Sequence, residues 1–530
     1  MENNEWNDCV PVDAEESREI GFSIDENYNA SSILFDNLQA GREDKIALMS
    51  DVGSYTYGEL CVTANCFGNG LKAKGLKQGD RILLILDDSA DYVIALFGAI
   101  KVGVVPVLVN TLSPADLVLY YANDAEAKAI FLHEEYASLV VDCSIPWQVT
   151  MDYEEGKAWL ASHSDHLTSE NTHRDDMAFW MYSSGSTGKP KGVVHLQHDM
   201  LYTAQSYASN VLDINENDVC FSVPKIFFAY GFGNTITFPF FVGATTSVLS
   251  GRPTPDVVFQ HIEKFKPTLF FALPTVYTAL IKHSAAQSAN LESVRLCISA
   301  AEVLSSDVFE AWRSRFGHCI VEGLGSTEVL HIYLSNITDQ QKPGSAGKRV
   351  PGYALKLTDI EGSMVAAGED GILWVRGDSN APCYWNKPEK TKETMRDGWI
   401  WTGDRFSVDS DGFYFFLGRA DDLVKVSGQW VYPLEVEHCL NEHPDVFEST
   451  VLAVERPDRR MQLVAVIALI EKCSNENGAM VANLQDYVKQ QLLPFKYPRE
   501  IFFLESLPKT GTGKIDRQGC KKFVQQKLEY

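Results

Sequence analysis

Short, continuous apolar segments recur along the N-terminal part of the chain, and helical patterns separate them. Residues 81–86, 104–109 and 129–132 are three such segments. An uninterrupted apolar strand is typical of a parallel sheet that is covered on both faces. The alternation of these strands with helices therefore predicts an α/β fold built on parallel sheets. It continues further along the chain, with a predicted helix over residues 196–211 and a predicted strand over 219–223.

A loop rich in glycine and hydroxyl residues follows the apolar segment 177–181. Residues 182–192 read YSSGSTGKPKG. Glycine lets a backbone turn sharply and approach a ligand, so its amide groups can point at phosphate oxygens. Hydroxyl donors and lysine charges in the same loop would add to phosphate binding. The candidate ligands are Ser183, Ser184, Gly185, Ser186, Thr187, Gly188, Lys189 and Lys191.

The spacing of this loop differs from that of a Walker A motif, which has four residues between its glycines and ends in Lys-Ser or Lys-Thr. Here two residues separate Gly185 from Gly188, and Pro190 follows Lys189. A P-loop NTPase, which would release phosphate, is therefore disfavoured. The order of residues instead resembles the phosphate loop of the adenylate-forming superfamily, which contains acyl- and aryl-CoA ligases, peptide-synthetase adenylation domains and firefly luciferases.

Charge and cysteine usage limit the classes of partner. The 530-residue chain has 46 basic and 71 acidic residues, a formal net charge of −25. Nucleic acid is bound by basic surfaces, so this balance argues against such a partner. The eleven cysteines are scattered without metal-ligand spacing, and the first twenty residues are acidic and polar, unlike a targeting peptide. We therefore expect a reduced, cytoplasmic protein.

One apolar segment, residues 92–109, has the length of a membrane span. Lys101, Gly103 and Pro106 interrupt it. A helix to about Lys101, a turn at Gly103 and a buried strand over 104–109 explain it better. We expect no membrane partner.

The resemblance to the adenylate-forming enzymes extends over essentially the whole chain. It implies a large N-terminal domain over residues 1–420, with two parallel-sheet α/β subdomains and a small β-barrel. The short glycine-rich strand patterns between residues 343 and 417 agree with an all-β unit. A smaller, mobile α+β domain over residues 421–530 would act as a lid, with Asp421 as the hinge.

Several further motifs match those that bind ATP in this family. Residues 323–328 read GLGSTE and follow an apolar strand, so the acid could hold Mg²⁺ against a nucleotide phosphate. The resemblance assigns the magnesium to Glu328, the α-phosphate to Thr327, and the adenine to the stretch containing Ala301 and Glu302. It assigns the ribose hydroxyls to Asp404 and Arg419.

The C-terminal segment PKTGTGKI, residues 508–515, has the form of the family's catalytic lysine loop. Attack of a carboxylate on the α-phosphate brings two anions together, and a cation between them stabilises the transition state preferentially. The resemblance gives this role to Lys514, with Thr187 and Glu328 as further catalytic residues. Just after the hinge, the resemblance places a pantetheine tunnel at Ser427, Gly428, Gln429 and Trp430.

The segment 225–234, KIFFAYGFGN, and the segment 329–335, VLHIYLS, refine the class. They resemble the benzoate-CoA ligase branch, although an apolar run of this kind is also compatible with an ordinary core. A short flat pocket that stacks a single aromatic ring is the interpretation we favour. Its candidate residues are Phe228, Ala229, Tyr230, Gly325, His331 and Ile332.

These motifs together indicate an AMP-forming aryl-CoA ligase that uses ATP, Mg²⁺ and coenzyme A. Benzoate is the first candidate acid, and a substituted ring such as 2-aminobenzoate or a hydroxybenzoate is the second. The main alternative is a stand-alone adenylation enzyme that loads a carrier-protein thiol. Luciferase-like oxidation and a non-catalytic nucleotide-binding regulator are weaker alternatives. The sequence leaves open whether the protein is a monomer or a homodimer.

Overall fold

The computed structural model describes residues 15–183, 189–338, 340–366, 368–420, 424–426, 429–431, 433–456, 461–470, 478–493, 495–509 and 515–528. The chain divides into two compact units. The first comprises Met1–Leu304, Val308–Lys356 and Trp374–Trp401, and the second comprises Ser305–Asp307, Leu357–Leu373 and Thr402–Tyr530. The predicted division at residues 420 and 421 stays a prediction.

A six-stranded sheet, counted over the described residues, forms part of the first unit. Its strands lie in the order Gln148–Thr150, Ala129–Leu132, Arg81–Ile85, Val105–Leu108, Met177–Ser183 and Lys191–Leu196. Neighbours run parallel except the last pair, which is an antiparallel hairpin around the phosphate loop. The apolar strands are buried on both faces, as the sequence predicts.

A second sheet of the first unit has nine strands within the described part of the chain. Their order is Lys348–Arg349, Ile332–Ser335, Ile320–Gly325, Leu296–Ser299, Leu269–Ala272, Val219–Ser222, Thr245–Ser247, Ile46–Ser50 and Gly53–Thr56. The central strands are parallel, while antiparallel pairs complete both edges. The sequence therefore predicted the parallel core, and the antiparallel edges are an addition from the structure.

Helices cover these sheets and connect their strands. The α-helices of the first unit are Ser32–Gln39, Tyr57–Ala73, Ala90–Lys101, Ala115–Asp124, Glu154–Ala161, Asp199–Thr203, Ala229–Phe232, Phe238–Val242, Pro255–Phe265, Pro274–Lys282 and Pro388–Thr394, and Ser306–Phe316 starts in the second unit. Shorter 3₁₀ segments are Glu15–Ile20, Glu134–Val140, Ser284–Gln287 and Thr327–Val329. One apolar cluster joins residues of both sheets with the helices between them.

The helix predicted over residues 196–211 is wrong in its geometry. The structure has a short α-helix, Asp199–Thr203, that continues as a π-helix over Ala204–Ser209. A second π-helix, Gly233–Thr237, follows the aromatic segment. π-Helical segments are rare in proteins, and those that occur often lie at functional sites.

The apolar segment at residues 92–109 folds as the sequence predicts. It contains helix Ala90–Lys101, Gly103 at a φ of 72°, and strand Val105–Leu108. The helix packs closely on Tyr57–Ala73, since a methyl group added at Gly98 would lie 2.6 Å from the Ala64 carbonyl oxygen. Among the described residues, no helix is both long and apolar enough to cross a bilayer.

The strands predicted to form a small barrel make a sheet of five strands among the described residues. These are Ala354–Thr358, Gly371–Arg376, Met395–Arg396, Trp399–Val408 and Tyr414–Arg419. The part of the second unit that follows this sheet has the predicted α+β character. Its strands are Val424–Val426, Gln429–Val431, Val446–Glu455, Met461–Leu469 and Glu500–Phe503, and its helices are Pro433–Asn441, Gly478–Gln491 and Arg517–Leu528.

Candidate functional site

The phosphate loop connects the two strands of an antiparallel hairpin. Ser183 at the end of the first strand lies opposite Lys191 at the start of the second. The predicted ligands Ser184, Gly185, Ser186, Thr187 and Gly188 lie outside the described residues, so their roles stay predictions. The described ends of the hairpin nevertheless fix where the loop begins and finishes.

Asp124, at the end of helix Ala115–Asp124, holds the first strand of this hairpin. Its carboxylate accepts hydrogen bonds from the hydroxyls of Tyr182 at 2.8 Å and Tyr120 at 3.3 Å. Burial, with the nearby charge of Asp124, raises the pKa of Tyr120 to about 12 and also raises the pKa of Tyr182. Both phenols therefore remain donors at neutral pH. The ammonium of Lys189 lies 5.0 Å from the Tyr120 ring centroid, so this lysine stays beside the hairpin.

The predicted acid of the GLGSTE motif lies beside the first strand of the hairpin. Glu328 is in the turn Thr327–Val329, which follows strand Ile320–Gly325. Its Oε1 accepts hydrogen bonds from the Tyr384 hydroxyl at 2.8 Å and from the Ser183 hydroxyl at 3.4 Å. The structure thus brings together two predicted residues that are 145 positions apart. It also adds Tyr384, whose ring lies 4.1 Å from the ammonium of Lys191.

This carboxylate suits a magnesium ion that arrives with a nucleotide. The described residues contain no group of three or more His, Cys, Asp or Glu side chains arranged to hold a metal. Mg²⁺ often takes only one or two protein carboxylates when phosphates and waters supply its other ligands. Glu328 therefore fits a Mg²⁺–nucleotide complex better than a permanently bound metal.

The predicted adenine stretch is a strained loop. Ala301 has a φ of 71°, a left-handed backbone conformation that residues other than glycine rarely adopt. The Glu302 carboxylate accepts a long 3.4 Å hydrogen bond from the Thr275 amide. The end of the loop is held by Glu322, which accepts the Leu304 amide hydrogen bond at 2.9 Å. Burial raises the pKa of Glu322 to about 8, so this buried carboxyl is protonated at neutral pH.

The aromatic segment and the strand after Glu328 come together around His331. The imidazole of His331 lies among the rings of Tyr207, Tyr230 and Phe238, at centroid distances of 5.6, 5.7 and 4.5 Å. It occupies space that a side chain at Gly233 would fill, because a methyl group there would lie 2.3 Å from the ring.

The two ring nitrogens of His331 have different hydrogen-bonding roles. Burial lowers its pKa to about 3, so the ring is neutral. Nε2 lies 3.3 Å from the Tyr230 carbonyl oxygen. Because a carbonyl oxygen can only accept a hydrogen bond, Nε2 carries the ring proton. Nδ1 is then an acceptor, and it is buried without a hydrogen-bond partner among the described atoms.

The other predicted pocket residues lie in the two segments that meet at His331. Ile332 is buried and pairs with Gly325 across the strands. A methyl group at Gly325 would lie 2.4 Å from the His331 carbonyl oxygen, which explains glycine at this position. Phe228 and Ala229 are half-buried at the start of helix Ala229–Phe232.

An acidic pair at the end of strand Arg81–Ile85 holds the base of the aromatic segment. Lys225 Nζ contacts Asp87 Oδ1 at 2.7 Å and the Leu249 carbonyl oxygen at 2.6 Å. Asp88 Oδ1 accepts the Ile226 amide hydrogen bond at 3.0 Å. Burial raises the pKa of Asp88 to about 7. Sequence analysis missed this pair, although two acids directly after a buried parallel strand are a recognisable signal.

The predicted ribose ligands form a cross-strand pair in the second unit. Asp404 and Arg419 lie opposite each other, and Arg419 Nη1 donates to Asp404 Oδ1 at 2.9 Å. The Asp404 amide also donates to the Thr402 hydroxyl at 3.0 Å. The carboxylate orientation is therefore set by its neighbours.

Lys514 and Asp421, the residue predicted to be the hinge, lie outside the described residues, as do Ser427 and Gly428. The backbone of Gln429 and Trp430 is in strand Gln429–Val431, which pairs with Val424–Val426. Around the lysine loop, Lys509 and Ile515 are bridged, and the Asp516 amide donates to the Pro508 carbonyl at 2.8 Å. The lysine loop is thus closed at its base.

Comparisons with known proteins agree with this arrangement. A family model described as "AMP-binding enzyme" matches residues 35–385, and one described as "AMP-binding enzyme C-terminal domain" matches residues 435–514. The chain is 41% identical over 505 residues to a benzoate–CoA ligase of Thauera aromatica, covering 93% of this chain and 96% of the relative.

Two solved structures are also similar. The anthranilate CoA ligase AuaEII in complex with anthranoyl-AMP gives a TM-score of 0.91 at 35% identity, covering 98% of this chain and 100% of the other. A benzoate CoA ligase from Burkholderia xenovorans LB400 gives 0.87 at 36% identity, covering 93% and 99%. This chain belongs to the AMP-binding enzyme family, within the benzoate–CoA ligase-like branch of the adenylate-forming enzymes.

Proposed function

We propose that the protein is an AMP-forming aryl-CoA ligase. An aromatic carboxylate would attack the α-phosphate of ATP, releasing pyrophosphate and forming an aroyl-adenylate. The thiol of CoA would then attack the acyl carbon and release AMP. Adenylation is needed because a carboxylate is a poor electrophile, whereas AMP is a good leaving group.

The observation that carries this proposal is the position of Glu328. The Glu328 carboxylate accepts a hydrogen bond from Ser183 at the start of the phosphate loop, and shortly after Glu328 the chain reaches His331, whose ring lies beside Tyr230. A nucleotide phosphate held beside Ser183 would thus be close to an aromatic acid held beside His331. When bound, Mg²⁺ would neutralise phosphate charge, and Glu328 is the residue that would hold it.

Small aromatic acids suit the described cluster. The ring of His331 is neutral, and Phe228, Ala229, Tyr230, Gly325 and Ile332 supply apolar or uncharged surface. Benzoate is the first candidate.

A benzoate with a hydrogen-bond donor on the ring is the second candidate. Nδ1 of His331 is a buried acceptor without a partner among the described atoms, and an amino or hydroxyl substituent could satisfy it. The similar structure that contains anthranoyl-AMP makes 2-aminobenzoate the substituted acid to test first.

The two half-reactions would be separated by rotation of the C-terminal domain, residues 421–530, against residues 1–420. In this proposal Asp421 is the hinge, Lys514 supplies the cation for adenylation, and Asp404 with Arg419 binds the ribose. Domain rotation is a recognised way to use one pocket for two steps. Support comes from the family match of residues 435–514 and from the paired Asp404 and Arg419.

The remaining ATP contacts are proposed by motif. Thr327 and the hydroxyl, glycine and lysine residues of the phosphate loop would bind phosphates, while Ala301 and Glu302 would pack against adenine. After rotation, Ser427, Gly428, Gln429 and Trp430 would line the path of CoA. A carrier-protein thiol is the alternative acceptor. We also infer a cytoplasmic location, which the lack of a disulfide among the nine described cysteines supports.

The test is ATP–pyrophosphate exchange with benzoate, aminobenzoates, hydroxybenzoates, cinnamates, fatty acids and amino acids, followed by thioester formation with CoA. We expect exchange and thioester formation with small benzoates. Exchange without transfer to CoA would favour a carrier protein. Exchange with fatty or amino acids alone would overturn the pocket assignment, and no exchange with any acid would overturn the proposed activity.

A further inference from the structure

A buried histidine–aspartate pair lies directly behind the Thr327–Val329 turn. His195 is in strand Lys191–Leu196, which leaves the phosphate loop, and Asp199 begins the following helix. Both side chains are 0% exposed. A buried ionisable pair is costly unless its hydrogen bonds are satisfied, so the partners of these two residues are informative.

Both ring nitrogens of His195 face oxygen atoms. Nε2 lies 2.9 Å from the Thr327 carbonyl oxygen, and Nδ1 lies 2.8 Å from Asp199 Oδ2. A carbonyl oxygen has no proton to donate, so Nε2 must carry one. Asp199 Oδ2 already accepts the Leu196 amide hydrogen bond at 3.0 Å, as a carboxylate does. The contact between Nδ1 and Asp199 Oδ2 then holds one further proton, which the two side chains share.

Each carbonyl of the turn has a donor from a different part of the first unit. The Glu328 carbonyl accepts from the Ala381 amide at 2.8 Å, and the Val329 carbonyl accepts from the Ser379 hydroxyl at 2.9 Å. The Thr327 carbonyl accepts from His195 at 2.9 Å and from the Leu330 amide at 3.1 Å. Of the donors from outside the turn, His195 is the one that comes from the strand leaving the phosphate loop.

The imidazole has little freedom to move. It stacks on the Phe179 ring at a centroid distance of 5.2 Å and an interplanar angle of 24°. Phe179 in turn contacts Phe232 of the aromatic segment at 4.6 Å. The other oxygen of Asp199 faces His198 Nδ1 at 3.3 Å. His195 therefore connects the phosphate hairpin, the acidic turn and, through Phe179, the aromatic segment.

We propose that His195 is a positioning residue for the adenylation step, with Asp199 fixing the orientation of its ring. It joins the strand that leaves the phosphate loop to the turn that carries Glu328, and so sets the separation between the phosphates and that carboxylate. The inference rests on the role proposed for Glu328. It assigns no direct contact with substrate to His195.

Two substitutions separate the two hydrogen bonds of His195. His195→Gln can still donate to the Thr327 carbonyl from the position of Nε2, whereas His195→Asn can reach only toward Asp199. We expect His195→Asn to lower kcat for pyrophosphate exchange more than tenfold, and His195→Gln to lower it less. Thioester formation from a supplied aroyl-adenylate should stay within twofold of wild type. His166→Gln, in the exposed His166–Asp165 pair, is the matched control and should change neither step.

The outcomes distinguish a positioning role from a structural one. Equal losses in both half-reactions would mean that the substitution damages the fold, and unchanged exchange in His195→Asn would also overturn the proposal. Nitrogen NMR of histidine-labelled wild-type protein, with the His195 signal assigned by its loss in His195→Gln, should show hydrogen on Nε2. A bare Nε2 would overturn the inference. This measurement needs no substrate, so it stands apart from any failure of the proposed ligase activity.

Discussion

At the scale of single residues, the site depends on groups whose partners come from distant parts of the chain. Glu328 is oriented by Tyr384, 56 positions away, and Leu304, in the loop after strand Leu296–Ser299, is held by Glu322 of the neighbouring strand. Neither Tyr384 nor Glu322 stands out in the sequence. Their functional meaning comes from what they touch.

Tyr384→Phe should weaken the site without damaging the fold. It removes the 2.8 Å hydrogen bond to the Glu328 carboxylate and leaves the ring in place. Hydrogen bonds to charged groups contribute about 1.5–3 kcal/mol, so we expect about a tenfold or larger fall in kcat/KM for ATP. Steady-state pyrophosphate exchange measures this change. Tyr153→Phe, at an exposed tyrosine, is the control, and equal activity of the two variants would contradict the prediction.

Glu322→Gln should alter the pH dependence of stability. The folded-state pKa is about 8, above the ordinary 4.5, so the native state holds a proton that the unfolded state has lost between those values. The stability that this proton provides is present at low pH and is lost as pH rises through about 8. Glutamine mimics the protonated form. The variant should therefore gain stability relative to wild type by up to about 1.4 kcal/mol per pH unit in that range.

Urea unfolding at pH 6 and pH 9 measures this difference. The Leu304 amide keeps an acceptor in Glu322→Gln, so the KM for ATP should be unchanged at pH 6. A constant stability difference between the two pH values would show that Glu322 is ionised in the folded protein. Glu389→Gln, on helix Pro388–Thr394, serves as the exposed control.

At the scale of elements, the aromatic segment is held by two acidic residues, Asp87 and Asp88, from another part of the chain. Lys225 at its start is held by Asp87, and the Ile226 amide is held by Asp88. Both acids follow strand Arg81–Ile85 of the six-stranded sheet, whereas Val219–Ser222, just before Lys225, belongs to the nine-stranded sheet. These two contacts therefore connect the two sheets of the first unit at the base of the candidate acid pocket.

Lys225→Met should raise the KM for the aromatic acid about tenfold while leaving the KM for ATP nearly unchanged. It leaves Asp87 buried and unpaired, which costs about 3–5 kcal/mol in comparable pairs. The double variant Lys225→Met/Asp87→Asn should recover part of the lost stability, because no charge is left uncompensated. Lys264→Met, in an exposed pair with Asp51, is the control. Parallel increases in both KM values would indicate general damage instead.

At the scale of the whole molecule, the proposed division of labour can be tested by separating the half-reactions. Lys514→Ala should reduce pyrophosphate exchange at least a hundredfold, since the proposed cation between two anions is lost. The same variant should convert a supplied benzoyl-adenylate and CoA into the thioester at close to the wild-type rate. Loss of both activities would contradict the assignment of Lys514 to adenylation alone. Lys521→Ala, on the following helix, is the control.

The sequence by itself determined the parallel cores of the sheets, the helix and strand within residues 92–109, and the family. These features follow from local patterns. A continuous apolar run is typical of a strand that is buried on both faces, and the backbone amides of a glycine-rich loop can bind phosphate without help from distant residues. Glu328 and His331 were predicted from motifs of this kind. The structure places each beside groups with which it can act.

Only the tertiary structure decided which polar groups support these motifs. Asp87, Glu322, Tyr384 and the His195–Asp199 pair are ordinary residues in the sequence, and each becomes significant through a hydrogen bond formed across strands or loops. The π-helices also depend on packing, since helical periodicity alone predicts a continuous α-helix over residues 196–211. Long-range contacts set geometry and protonation because burial and neighbouring charges act through space, whereas motifs record only positions along the chain.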